Sequence, residues 1–483
     1  MFAPLSRWLP LALVALAALW LRTHDLALRP MHADEANQAV KTGALLEHGR
    51  YAFDPQDHHG PTLYYAALPV AWLRGETTLA TLTETTVRLV PALAGTVGVV
   101  LLFALALPLG RWPALAAAAL MAIAPASVYY SRYFIQETLL VTFTLAAFVC
   151  AARWWQSGRT RWAIAAGVAL GLMQATKASA PLFLTAALIA FLLTARTRPT
   201  TRRPRRDLVF AFLAALTVAA LFYSSFGTHL PGLRDALATY THTSARAVAG
   251  SGHEKPWYYY LQLFGAQRIG GLAWQQLAFS ALACACVIVA VATRQKFLRC
   301  AALYTALILV ALSLPPYKTP WHAVHLVPGL ALLAAGALAA LPGRILAPLA
   351  CLIVLALQGY QTQRAAFLRP ADARNPYAYV HSSPDVLKLT ALAAAAHAQD
   401  PHGVIRVISE EYWPIPWYLR ALPANSVGYW STPPVDSDGA LLIASATQAV
   451  ALRPLLKNSY RESYLGLRPG VLLVVFTPRP ATP

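Results

Sequence analysis

Apolar residues in this chain run on well past the length of an ordinary core helix. A bilayer-spanning helix needs about 20 apolar residues, and such runs occupy residues 8–26, 87–108, 112–130, 134–155, 207–226, 272–293, 297–314, 321–341 and 345–362. The stretch 162–195 is 34 residues long, too long for one untilted span, and Gln174, Thr176, Lys177, Ser179 and Pro181 interrupt it. It reads as two short helices meeting at Lys177. The pattern therefore predicts eleven spans, separated by three longer polar segments at 27–86, 227–271 and 363–483. In the last segment, short apolar runs (Val404 to Ser409, Ala440 to Ser445, Val471 to Phe476) alternate with helix-compatible stretches (Pro384 to His397, Gln448 to Leu456). That alternation predicts a small α/β layer. The expected fold is an α-helical polytopic membrane domain, 1–362, followed by an extracytoplasmic α/β domain, 363–483.

Charge fixes an orientation for these spans. Cytoplasmic loops carry excess Lys and Arg, and the basic clusters are Arg153-Arg159-Arg161, six arginines between Arg196 and Arg206, Arg294-Lys296-Arg299, and the single Arg111 and Arg344. Placing all of them inside requires an even number of passes between Arg161 and Arg196, which independently supports the break at Lys177. The N-terminus then lies inside and the C-terminus outside. On this layout 19 of 20 acidic residues fall outside or at the outer face, with Asp207 the exception, and so do all 13 histidines. The first span has no small-residue cleavage site after it and reads as a retained anchor.

Composition narrows the function classes. The chain is 57% hydrophobic and 12% charged with a mean hydropathy of +0.48, against about 25% charged in soluble domains. An ordinary soluble enzyme is excluded. The net charge of +19 is largely the inside-positive signal, since fourteen Lys and Arg sit in the five cytoplasmic loops, so no nucleic-acid partner is needed. The five cysteines lie in or beside apolar runs and read as small buried hydrophobes.

The remaining ionisable residues carry the candidate chemistry. Asp34 and Glu35 are adjacent carboxylates just after the first span, at the start of an amphipathic helix; they read either as first-turn charge stabilisation or as a general base beside a membrane-bound substrate. Asp57, His58 and His59 can form, with Asp34, a divalent-cation site or simply a polar Gly-Pro turn that continues to Tyr64. Arg132 and Glu137 are charges at the membrane boundary, where ionisable groups are functional candidates. Arg132 can snorkel, whereas Glu137 requires a cation or a polar cavity. Lys177 at the helix break and Lys318, in a segment with Trp321 and His322, suit a phosphate as point charges or serve as interfacial anchors.

Taken in order, Asp34-Glu35-Ala36, His59-Gly60-Pro61, Tyr130-Ser131-Arg132 with Glu137, Thr176-Lys177, Lys318-Thr319-Pro320-Trp321, Ser383-Pro384-Asp385-Val386 and Trp413 to Tyr418 resemble the GT-C class of membrane glycosyltransferases. Within it the chain is similar to relatives of protein O-mannosyltransferases and of the aminoarabinose transferases that modify lipid A. The resemblance is greatest to a prokaryotic subfamily labelled flippase-activity-associated protein. It implies transfer of a sugar from a polyprenyl-phosphate carrier to a lipid, polysaccharide or protein acceptor on the outer side of the cell membrane. By position Asp34 matches the catalytic acid of the first loop, with Glu35 its neighbour. Glu137 matches a second acidic position where many relatives carry Asp, and Lys177 and Lys318 match positions near the carrier phosphate. His59, Tyr64, Arg132, Trp321 and His322 complete the expected substrate-binding set, and a divalent cation is a possible cofactor. A lipid-linked sugar flippase and a non-catalytic member of a glycan-assembly complex are the alternatives.

Overall fold

The computed structural model describes residues 5–56, 59–194, 199–249, 252–343 and 345–479. The chain divides into two compact units. One gathers residues 1–26, 50–66 and 88–370; the other gathers 27–49, 67–87 and 371–483.

The helices are, in chain order, α1 (Leu5–Thr23), α2 (Ala33–His48), α3 (Thr62–Leu73), α4 (Glu84–Ala106), α5 (Arg111–Ile123), α6 (Pro125–Tyr130), α7 (Glu137–Ser157), α8 (Thr160–Gln174), α9 (Ala180–Thr194), α10 (Pro204–Tyr223), α11 (Pro231–Ala249) and α12 (Tyr259–Phe264). A hairpin of β1 (Ala266–Ile269) and β2 (Leu272–Gln275) precedes α13 (Leu277–Ala292), α14 (Lys296–Ser313), α15 (Val327–Ala340) and α16 (Leu346–Gln363). Among the described residues, five helical segments are long and apolar enough to cross a membrane: Glu84–Leu109, Glu137–Ser157, Pro204–Tyr223, Lys296–Ser313 and Pro320–Ala340. Four shorter apolar helices accompany them, at Thr62–Leu73, Arg111–Ile123, Ala180–Thr194 and Leu277–Ala292. The chain is a multi-pass membrane protein. Leu208, Val209, Phe212 and Leu216 of α10 are exposed, the mark of a helix whose outer face meets lipid.

Three expected spans are less regular than their hydropathy. The run 112–130 is broken at Ala124-Pro125 into α5 and α6, because Pro125 cannot donate to the preceding turn. Residues 272–275 belong to strand β2 rather than a span, since Gly270 and Gly271 at positive φ turn the chain back on itself. The run 321–341 opens as a 3-10 turn, Pro320–His325, before α15. The break expected at Lys177 is present, between α8 and α9. On α8, Gly167 and Gly171 are four residues apart and face α10, where a Cβ would meet the carbonyl oxygens of Ala211 at 2.1 Å and Ala215 at 2.5 Å. Such spacing lets two membrane helices touch backbone to backbone.

The second unit contains α17 (Val386–Gln399), α18 (Ile415–Tyr418), α19 (Ala446–Leu452) and a five-stranded sheet. Its strands are β3 (Ile405–Ile408), β4 (Val427–Trp430), β5 (Leu441–Ser445), β6 (Tyr460–Arg468) and β7 (Val471–Pro478), in the order β4-β3-β5-β7-β6. β3 pairs in parallel with both β4 and β5, while β7 runs antiparallel to β5 and β6. Ile408, Leu442, Ala444, Val474 and Phe476 pack with Ala449 and Leu452 of α19. The expected α/β layer is thus present, and β4 and β6 are additions to the three apolar runs seen in the sequence.

Asp207 ties the α7–α8 turn to the start of α10. Its carboxylate accepts from Trp154 Nε1 at 3.1 Å, Thr160 Oγ1 at 2.9 Å, Thr201 Oγ1 at 2.8 Å and Arg206 Nη2 at 3.1 Å. Asp207→Ala strands these donors and is expected to cost about 1–3 kcal/mol, read as a lowered thermal-unfolding midpoint of the detergent-solubilised protein. Asp207→Asn, which keeps one acceptor, should recover part of the loss.

Candidate active site

In the second unit, the segment leading into α2 is held by residues from the C-terminal part of the chain. Met31 N–H donates to Tyr418 OH at 2.8 Å, and Ser382 Oγ donates to Met31 O at 2.7 Å. His32 then caps α2: its Nδ1 accepts the Asp34 N–H at 3.0 Å, which leaves the proton on Nε2, 3.1 Å from Tyr379 O. The ring is buried, and burial pushes its pKa below the usual value, outweighing the opposite pull of Asp34 and Glu35. The imidazole is therefore neutral, and its approach to the Asp34 carboxylate is a neutral contact rather than an ion pair.

The two neighbouring carboxylates have different surroundings. Glu35 is 0% exposed and accepts from Arg29 Nη2 and from the His32 N–H, each at 3.2 Å. Its work is to close the first turn of α2 and to neutralise Arg29. The Asp34 side chain, in contrast, is 50% exposed. Of the pair, Asp34 is the exposed carboxylate, and Glu35 is buried and fully engaged at the start of the helix.

In the first unit, the break between α8 and α9 is built from backbone carbonyls that α8 leaves unpaired. Tyr223 OH donates to Gln174 O at 2.9 Å, Thr62 N–H to Ala175 O at 3.3 Å and Gly60 N–H to Thr176 O at 3.1 Å. The hydroxyls of Thr62 and Thr176 are 2.7 Å apart. Gly60 is required here because a Cβ would lie 2.0 Å from Ala175 O. The His59-Gly60-Pro61-Thr62 segment thus serves as the cap of a broken helix, and the residue presented at the break is Lys177.

Lys177 Nζ is hydrogen-bonded to the Glu137 carboxylate, at the first residue of α7. His322 Nε2 lies 3.5 Å from Lys177 Nζ and 3.8 Å from Glu137 Oε1. Tyr260 OH, which donates to Thr319 O at 3.0 Å, and Thr319 Oγ1 are each 3.4 Å from His322 Nδ1. With an ammonium facing Nε2, the imidazole proton belongs on Nδ1. The His325 ring lies 6.5 Å from that of His322. Within this unit the structure therefore brings together three expected residues, Glu137, Lys177 and His322.

Other expected residues are occupied with structural work. Arg132 is buried and donates to the backbone oxygens of Leu21 at 3.2 Å, Asp25 at 2.8 Å and His24, so it caps the end of α1. Lys318 is 1% exposed and donates to Lys255 O at 3.1 Å and to Pro315 O. Tyr64 is fully buried, its ring 4.8 Å from that of Tyr51, and Trp321 is buried beside His322. Asp57 and His58 lie outside the described residues; among those described, no three His, Cys, Asp or Glu side chains group as metal ligands do. Sequence reasoning missed Tyr260 and Arg22. Arg22 is buried and bonds to Ala122 O at 2.9 Å and Ser127 Oγ at 2.8 Å; a charge inside an apolar run was its visible signal.

Residues 67–224 match the family model described as dolichyl-phosphate-mannose-protein mannosyltransferase. Nearly the whole chain, 96%, superposes on 97% of ArnT from Cupriavidus metallidurans bound to undecaprenyl phosphate, with a TM-score of 0.69 and 16% identity. The fold is that of a GT-C membrane glycosyltransferase. The same 96% of the chain matches 73% of the oligosaccharyltransferase AglB from Archaeoglobus fulgidus in complex with an inhibitory peptide and a dolichol-phosphate, with a TM-score of 0.56 and 14% identity. No curated protein sequence matches the chain. The class expected from the motifs is borne out; the finer subfamily is not reached by these matches.

Two outcomes test the geometry. Lys177→Met leaves Glu137 buried without its cation and is expected to destabilise the protein by about 3–5 kcal/mol; adding Glu137→Gln should restore much of that in a double-mutant unfolding cycle. His32 is held neutral when folded, so the unfolded state binds the extra proton below about pH 6.5. Stability should therefore fall as pH drops from 7.5 to 5, and His32→Asn, which preserves a cap, should flatten that fall in thermal unfolding.

Proposed function

We propose that this chain transfers a sugar from a polyprenyl-phosphate-linked donor to an acceptor on the extracytoplasmic side of the cell membrane, inverting the anomeric centre, with Asp34 as general base. The observation that carries the reading is the division of labour at α2: Glu35 is locked to Arg29 and the His32 backbone, while the Asp34 carboxylate faces outward. Asp34 takes the proton of an acceptor hydroxyl, the acceptor oxygen bonds to the anomeric carbon, and the carbon–oxygen bond to the carrier breaks with its electron pair leaving on the phosphate. Undecaprenyl phosphate in the ArnT structure and dolichol-phosphate in the AglB structure support a lipid phosphate as the carrier.

Lys177 is the cation we assign to the leaving phosphate. A carboxylate partner holds its ammonium in place, and the donor's phosphodiester anion, which becomes a phosphate dianion as the sugar leaves, can compete with Glu137 for it. Lys318 has two of its three N–H groups on carbonyls and is a weaker second candidate; Arg132 leaves the list because its guanidinium caps α1. The inside-positive loops support a cytoplasmic N-terminus and an outer second unit. Membership of the flippase-activity-associated subfamily remains part of this proposal, on the motifs alone.

Asp34→Asn is expected to lower turnover about 10²–10⁴-fold with donor affinity retained, measured with a radiolabelled polyprenyl-phosphate sugar and the purified protein. Unchanged transfer by that variant would remove Asp34 as the base. Product of retained anomeric configuration, read by NMR, would remove the single-displacement mechanism.

A further inference from the structure

The sheet of the second unit places a second set of chemistry-bearing side chains near α2. From β3 the chain passes to β4 on one side and later returns to β5 on the other, all three strands being parallel. In such sheets the crevice for a ligand opens at the carboxyl ends of the strands, where the order reverses. The loop leaving β3 at this end is Ser409-Glu410-Glu411-Tyr412-Trp413. The Tyr412 ring packs against Tyr429 at 5.2 Å and against Trp413 at 5.9 Å. Tyr429 is 38% exposed and the Glu411 side chain 59% exposed.

Arg468 joins this loop to β6. Its guanidinium bonds to the Glu411 carboxylate and, at 3.1 Å, to Trp413 O. Beside Arg468 on β6, Leu467 O accepts the Ser383 N–H at 2.8 Å, and the neighbouring Ser382 Oγ donates to Met31 O at 2.7 Å, one residue before the His32 cap of α2. Aromatic faces beside an accessible carboxylate and a guanidinium suit a ligand with a flat C–H face and a rim of hydroxyls. We propose that Tyr412, Trp413 and Tyr429, with Glu411 and Arg468, form the acceptor subsite and that the acceptor group it takes is a saccharide. This deepens the reading of Asp34 as base and rests on it for the acceptor role. The rings stack on the sugar's apolar face, and Glu411 and Arg468 accept from and donate to its hydroxyls.

The test is binding of the full-length protein in detergent to an array of immobilised oligosaccharides, with an array of Ser/Thr/Asn-containing peptides in parallel. Wild type and Tyr412→Phe should bind the same saccharides, and Tyr412→Ala should bind them about tenfold more weakly. Binding to peptides instead of saccharides, no saccharide binding by wild type, or saccharide binding that Tyr412→Ala leaves intact would each overturn the proposal. Asp34→Asn separates it from the catalytic reading. Saccharide binding by that variant equal to wild type is expected; if transfer also survives, the base assignment fails while the subsite stands, and if saccharide binding is lost, the subsite as drawn is wrong.

Discussion

A helix that stops inside an apolar medium leaves carbonyls with no water to turn to, and the first unit is organised around meeting that demand. Arginine does it at two places: Arg22 serves the end of α5 and Arg132 the end of α1. At the third, the end of α8, hydroxyl and backbone donors from Tyr223, Thr62 and Gly60 do the same. Only with these carbonyls satisfied can the chain break in mid-run and present Lys177, and only with Lys177 presented does Glu137 have a cation. The polar cluster is thus the last term of a series whose earlier terms are all backbone repairs.

The second unit solves a different problem, that of giving adjacent carboxylates different characters. Position along a helix suffices. Glu35, at the third residue of α2, reaches back to the cap and to Arg29, whereas Asp34, one residue earlier, cannot make that reach and stays outside. The neutral imidazole of His32 completes the arrangement by occupying the Asp34 N–H without adding a charge beside its carboxylate.

Much of this was legible from pattern. Long apolar runs and inside-positive loops gave the membrane class and the break at Lys177, and alternation in the C-terminal segment gave the α/β layer. What escaped was set by tertiary partners. β6 opens with the polar Arg461-Glu462-Ser463 and has no long apolar run, and β4 is four residues long with a glycine. For Arg132 and Lys318 the sequence left a ligand role and an anchoring role both open, because it lists charges and not the carbonyls that meet them in space. Residue pattern alone did not separate Glu35 from Asp34, which only the resemblance singled out, since Arg29 becomes Glu35's partner only once the turn is made.

The second unit is also discontinuous: its α2 segment is fastened by Ser382 and Tyr418, and Glu84 and Leu82 accept from Trp417 and Arg420. Those fasteners are made by the ribosome after every span of the first unit has been synthesised. The Asp34 segment therefore emerges early, yet its tertiary fasteners arrive only with Ser382 and Tyr418. A chain ended before Ser382 would lack these hydrogen bonds to the α2 segment.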